Sequence, residues 1–265
     1  MQPSPIAAIA LDAGIEVLRP TSAHDLALRT RVLELAPDCC PVVAYGGLIP
    51  PPLLAIPQHG WVNLHFSLLP QWRGAAPVQH AIWAGDTVTG ATTFVLDEGM
   101  DTGAILATIT EDIAPSDTSG DLLGRLAQRG AGLLVASLTG LADGSLVPQS
   151  QHGDASHAPK ISVEDAHIDW HQSAEAIDRL VRAMTPLPGA WTTVGDERLR
   201  LQPVTVMALS PQMPPGTLYV GARDVLVGTG TVPIRLGDVR PAGKRQMPAS
   251  DWVRGARLPD GTVLG

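Results

Sequence analysis

Trp61-Val62-Asn63-Leu64-His65-Phe66, then Ser67-Leu68-Leu69-Pro70-Gln71-Trp72-Arg73-Gly74, then Ala75-Ala76-Pro77-Val78-Gln79 is the stretch from which the fold of this 265-residue chain is read. The first six residues alternate with period two and spell a strand. Pro70 and Gly74 punctuate a shaped loop, and a helix over Ala75–Ala84 follows. On the strand, Asn63 and His65 share one face, while Val62, Leu64 and Phe66 take the other. Upstream, Pro41–Tyr45 is short and apolar, as a buried parallel strand is. Ser22 with Asp25 resembles a capping box ahead of a helix to about Leu35. Ile15–Leu18 reads as a short strand. Ser4-Pro5 offers a cap and a first helical residue for a helix that Gly14 can end. This alternation indicates an α/β fold with a parallel sheet.

Downstream the pattern changes. Ala91–Leu96 and Ala104–Ile113 read as strands joined by Asp97-Glu98-Gly99-Met100-Asp101-Thr102-Gly103, so the sheet is expected to end in an antiparallel hairpin. Thr118–Leu141 is a long Leu/Ala/Gly helix. The polar, Gly/Ser/His-rich run 143–159 marks a linker. Beyond it come a helix over about Ser173–Met184 and five β segments: Trp191–Val194, Leu199–Val206, Thr217–Val220, Val225–Val227 and Ile234–Val239. A short helix near Ala249–Arg254 closes the chain. That strand count suggests a small barrel of the oligonucleotide/oligosaccharide-binding (OB) type.

The length suits one large or two modest domains. Apolar residues make up 45% and charged residues 17%, which provides for a packed core and excludes wholesale disorder. A net charge of −8 argues against a protein that coats nucleic acid. The charge is uneven: residues 1–157 hold 6 Lys+Arg against 15 Asp+Glu, and residues 158–265 hold 12 against 11. The second part is the better candidate for touching a polyanion. Cys39 and Cys40 are adjacent, a poor disulfide pair, and two cysteines cannot build a sulfur-ligated metal site. A reducing, cytoplasmic compartment is expected. No apolar run reaches the ~18 residues of a membrane span, and no secretory signal opens the sequence.

An amide and an imidazole side by side suit an electrophilic carbonyl. The amide donates to its oxygen, and an imidazolium stabilises the oxyanion that develops. A carboxylate from the loop after Leu96 would hold His65 charged and receive a proton. Asp97, Glu98 and Asp101 all lie there, and spacing alone does not choose between them.

Asn63-Leu64-His65 with Ser67-Leu68-Leu69-Pro70 and Trp72-Arg73-Gly74-Ala75-Ala76-Pro77 strongly resembles the folate-dependent formyltransferases, and the last run resembles the methionyl-tRNA formyltransferases among them. Asp97–Gly103 is similar to that family's second active-site loop and Ala44–Pro50 to its folate-side loop. Pro159-Lys160-Ile161, Ile168-Asp169-Trp170 and Pro186 to Trp191 look like the start of its C-terminal domain. The resemblance implies a Rossmann-like formyltransferase domain over 1–145, a linker over 146–158 and an OB-like, tRNA-binding barrel domain over 159–265. It implies that Asn63, His65 and Asp101 are catalytic, and that Ser67, Leu68, Leu69 and Pro70 contact folate. The implied co-substrate is 10-formyltetrahydrofolate and the implied acceptor is the α-amine of initiator methionyl-tRNA. No metal and no membrane are implied, and a monomer is expected.

Met1-Gln2-Pro3-Ser4-Pro5 resembles the family's segment just after its second strand. About two strands, a helix and a basic loop of the family therefore have no counterpart here. Loss of a central strand leaves an unpaired edge, so the chain is expected to be unstable or inactive alone. Other readings are a related formyltransferase acting on a sugar nucleotide or a purine ribonucleotide, or an inactive folate- or RNA-binding fragment. The Trp72–Pro77 run and the barrel-like second part favour the tRNA substrate. Lys244, Arg245, Arg254 and Arg257 are the basic residues expected to meet the tRNA backbone.

Overall fold

The computed structural model describes residues 4–221, 224–259 and 261–265. Ser4 caps helix α1 (Pro5–Asp12), accepting from the Ala7 amide, with Pro5 in the first turn. Residues 15–18, expected as a strand, have no ladder partner and run as coil. Glu16 turns instead to Arg31 on helix α2 (Leu26–Leu35). The cap of α2 is Asp25 rather than Ser22: its Oδ1 accepts from the amides of Ala27 and Leu28, while the Ser22 hydroxyl is occupied by the His24 amide. Strand β1 (Cys40–Val43), the one-turn helix α3 (Pro51–Leu54) and strand β2 (Trp61–His65) follow. Helix α4 (Pro77–Ala84) starts later than expected, because the Ala76 amide is bonded to the Ala158 carbonyl. Strands β3 (Val88–Val95) and β4 (Ile105–Asp112) and the long helix α5 (Ser119–Ala142) complete this half.

The sheet order is β1-β2-β3-β4, parallel between β1 and β2 and antiparallel thereafter. The hairpin read from the sequence is therefore present, and β1 stands at an edge. Helix α5 covers one face of the sheet. Its Leu122 and Leu126 are fully buried with Leu64, Ile82 and Ala91, and Phe66 packs against them. A Thr118/Asp121 capping box starts α5.

Arg125 on α5 donates to Glu111 and Asp117 and holds both carboxyls below their usual range. Carboxylates with lowered folded pKa values stabilise the fold above their unfolded values, about 3.9–4.3. That contribution is lost as pH falls through the folded values. Arg125 is 39% exposed, so Arg125→Ala is expected to cost only about 1–2 kcal/mol at pH 7 and less at pH 3. Thermal unfolding at both pH values checks this, and an equal loss at both would show that the ion pairs contribute nothing.

In the second half, Ser173 caps helix α6 (Ala174–Met184). Strands β5 (Trp191–Val194), β6 (Glu197–Leu201), β7 (Thr205–Val206), β8 (Leu218–Val220), β9 (Val225–Val227), β10 (Ile234–Arg235), β11 (Asp238–Pro241) and β12 (Met247–Pro248) lead to helix α7 (Ala249–Ala256). There are more strands than the five expected because two of the segments break and Met247–Pro248 adds a short strand paired with β11. The 199–206 run stops at Pro203, which has no N–H for a ladder, and the 234–239 run stops at Gly237. At that corner a Cβ on Gly237 would lie 2.7 Å from the Pro203 carbonyl oxygen, so both runs cross between sheets where only glycine fits. The two sheets are β7-β10-β9-β8 and β12-β11-β6-β5. The tail joins them: Leu264 donates to Gly216, while Gly265 and Thr193 exchange hydrogen bonds. Helix α6 plugs this barrel with Ile177, Val181 and Met184 against Trp170, Val227 and Val239. Ala183 of the same helix enters the first domain's core, and Trp83 packs against both cores. Among the described residues no helix is long and apolar enough to cross a membrane. Cys39 and Cys40 are free, and burial pushes the Cys40 thiol up to about 11.

Candidate active site

Strand β2 delivers Asn63 and His65 to the wall of a cavity of about 400 Å³. Loop 44–49 and the loop after β3 form much of the remaining wall, with Leu48, Leu96, Met100 and Asp101 prominent in it. His65 is only 6% exposed. Its Nε2 lies 2.8 Å from the Trp72 carbonyl oxygen. A carbonyl only accepts, so Nε2 carries a hydrogen. Nδ1 faces the Asp101 Oδ2 at 3.7 Å. Nε2 thus donates to the Trp72 carbonyl, and Nδ1 is turned toward the Asp101 carboxylate beyond hydrogen-bond distance. The same Asp101 oxygen accepts the Gly74 amide at 2.7 Å, which orients the carboxylate.

The three acidic candidates of this loop are separated by geometry. Asp97 is used locally, accepting from the Gly99 amide and the Thr102 hydroxyl, and Glu98 is exposed. Asp101 is the one brought to His65. It does so from a left-handed backbone, φ 53°, and Trp72 is left-handed too, at φ 59°. Left-handed backbone costs roughly 1–2 kcal/mol for a residue with a side chain, so both positions need bracing. Gly74, at φ 122°, is required as glycine, since a Cβ would meet the Ala158 carbonyl oxygen at 2.6 Å.

Residues 67–70 stand away from the cavity. Ser67 is fully buried and its hydroxyl donates to the Gln71 carbonyl. Leu69 is buried and its amide donates to Thr92, whose hydroxyl in turn donates to the Ser67 carbonyl. Leu68 borders a separate, smaller pocket with Gln71 and Trp72. None of Ser67, Leu68, Leu69 and Pro70, the four residues implied as folate contacts, lines this cavity. They fold the loop over β3 and so bring the Trp72 carbonyl to His65.

Sequence reasoning missed the part played by residues 149–158, which it took for linker. This run straps the site. At one end Gln149 and Ile105 exchange backbone hydrogen bonds of 2.8 and 2.7 Å. At the other, the Arg73 amide donates to the Ser156 carbonyl and the Ala158 amide to the Arg73 carbonyl. Between them, the Ser156 hydroxyl accepts the Trp72 amide, and Gln151 reaches Arg73, Asp101 and Gly103. Its length was the available signal, because a long connection without elements of its own inside a compact protein is commonly functional.

The formyl transferase profile matches residues 2–138, and the profile of the formyl transferase C-terminal domain matches residues 160–257. The chain belongs to the formyl transferase family. It is 57% identical to the methionyl-tRNA formyltransferase of Nocardioides sp., over 99% of this chain and 84% of that protein. It is 56% identical to that of Thermobifida fusca, over 99% of this chain and 85% of that protein. Among solved structures, HypX from Aquifex aeolicus in complex with tetrahydrofolic acid is similar at a TM-score of 0.66 and 20% identity, over 86% of this chain and 40% of that chain. That likeness shows the fold. In this formyl transferase the strap falls between the two profile matches, where neither describes it.

Proposed function

We propose that this chain transfers the formyl group of 10-formyltetrahydrofolate to the α-amine of initiator methionyl-tRNA, with Asn63, His65 and Asp101 as the catalytic groups. The observation that carries the proposal is His65, held between the Trp72 carbonyl and the Asp101 carboxylate on a cavity wall. The cavity lies within the usual range of small-molecule sites, ~300–1,000 Å³. Val42, Leu48, Ile49 and Leu54 line it opposite a polar wall, which suits a flat heteroaromatic ring, so the folate falls to loops 44–49 and 96–101.

The donor supplies an electrophilic formyl carbon. As the amine adds to it, negative charge builds on the formyl oxygen; the tetrahedral adduct then collapses, the bond from the formyl carbon to N10 breaks, and tetrahydrofolate leaves with a proton on N10. Asn63 donates to that oxygen through its amide and His65 through Nδ1–H, which at 3.7 Å from Asp101 is not closed onto the carboxylate. Asp101 keeps the imidazolium charged and oriented and takes up the proton the amine loses, directly or through water. Free thiols at Cys39 and Cys40 and a site built from one chain fit a cytoplasmic monomer.

The tRNA falls to the outer face of the barrel. Arg200 on β6 pairs in register with Arg240 on β11, and Arg198 lies two residues from Arg200 on the same face. Among the described residues, Arg198, Arg200, Arg240, Lys244 and Arg245 enter no ion pair, whereas Arg254 is paired with Asp251. This favours the first five over Arg254 as phosphate contacts. Arg200→Ala with Arg240→Ala is expected to raise the KM for tRNA with kcat unchanged. It should also lower the slope of log affinity against log salt by about 2. An unchanged slope would move the contact elsewhere.

The proposed activity is tested by offering the protein 10-formyltetrahydrofolate with either initiator methionyl-tRNA or an amino-sugar nucleotide, and reading products by mass spectrometry. Formyl on the methionyl amine alone is expected. Formylation of the sugar nucleotide with none on the tRNA would overturn the proposal.

A further inference from the structure

We infer that Gln151 is a positioning residue for formyl transfer, its single side-chain amide setting the distance between His65 and Asp101. This rests on the function proposed above. The amide oxygen accepts from Arg73 at 3.2 Å (Nε) and 2.6 Å (Nη2). The amide nitrogen donates to the carbonyls of Asp101, at 2.8 Å, and Gly103, at 2.9 Å. One side chain therefore ties the loop after β2 to the loop after β3. Those loops bring together the two parts of the site: Trp72 and Gly74 on one, Asp101 on the other. Gln151 grips Asp101 at its carbonyl, beside the left-handed φ of 53° that aims the carboxylate at His65.

The strap does not depend on Gln151 for its own place. It is anchored at Gln149 by two backbone bonds to Ile105, and from 156 to 158 by backbone bonds to Arg73 and Ala76. Removing the Gln151 amide loosens the loop after β3 against the loop after β2, leaving the Gly74–Asp101 bond as the direct tie between them, with the strap and the sheet in place. Gln151 is uncharged, so its role is geometric and is read in kcat rather than in substrate affinity.

Two variants separate the functions of the amide. Gln151→Glu retains an acceptor for Arg73 and loses the donor to Asp101 and Gly103, while Gln151→Ala loses both. Each is expected to lower kcat by about 10–100-fold, the scale of an ångström's misplacement of a reacting group. Both KM values are expected to stay within about twofold of the parent and the Tm within about 3 °C. Amide hydrogen exchange at Gly74, whose acceptor is the Asp101 carboxylate, is expected to quicken at least about tenfold in either folded variant. A kcat within twofold of the parent, or a loss of kcat matched by a fall in Tm, would overturn the inference and leave the proposed function standing. If the parent itself formylates no tRNA, the proposed function fails, and the exchange measurement still decides the positioning: unchanged protection at Gly74 would refute it. Should the alanine variant not fold, the near-isosteric Gln151→Glu carries the test.

Discussion

Asp101→Asn lowers formyl transfer by about 10²–10⁴-fold with the fold intact. Asparagine accepts a left-handed backbone nearly as readily as aspartate, so the φ of 53° at this position is kept. Its side-chain oxygen still accepts the Gly74 amide, as Asp101 does at 2.7 Å. What it removes is the negative charge 3.7 Å from His65 Nδ1. The imidazolium then loses its counter-charge and the amine's proton loses its acceptor. The measurement is kcat at saturating substrate with Tm as control. A loss below tenfold would show that the shape of the loop, not the charge it carries, is what the site needs from Asp101.

His65→Ala is expected to lose about 10²–10³ in rate, the usual effect of deleting one donor to a developing oxyanion. The substitution also strips the Trp72 carbonyl of the donor it has at 2.8 Å. Part of any loss would then come from a loosened loop. His65→Gln separates the two effects, because its amide can still donate to that carbonyl but carries no charge. A slow but normally stable His65→Gln protein would assign the loss to the charge. A glutamine variant with parental rate would remove His65 from the chemistry.

Much of the site was legible because it lies on one strand. That Asn63 and His65 share one face follows from period two, their catalytic role was implied only by the resemblance, and the order of β2, loop and α4 follows from Pro70, Gly74 and Pro77. Spacing did not choose among Asp97, Glu98 and Asp101; the family resemblance pointed to Asp101, and it is this carboxylate that a left-handed backbone turns toward His65. The misread residues are those whose partners are distant or are backbone. Gln151 acts through the carbonyls of residues 101 and 103, and a carbonyl leaves no mark on the sequence that carries it. In the barrel, each of the five expected segments carries strand, but Pro203 and Gly237 mark sheet crossings inside two of them, and the two-residue strand β12 was not expected. Residues 15–18 had strand composition and no neighbour to pair with, and composition alone does not make a ladder.

The most direct measurement is single-turnover transfer of labelled formyl from 10-formyltetrahydrofolate to initiator methionyl-tRNA, in the parent and in His65→Ala side by side. Thermal unfolding of both proteins is recorded alongside, so that chemistry is compared at matched stability. The expected result is label in an amide on the methionyl nitrogen with the parent residue at position 65, and transfer at least about 10²-fold slower with alanine there. Equal rates for the two residues, or no label on the methionyl amine from the parent, would contradict the assignment of formyl transfer to this site.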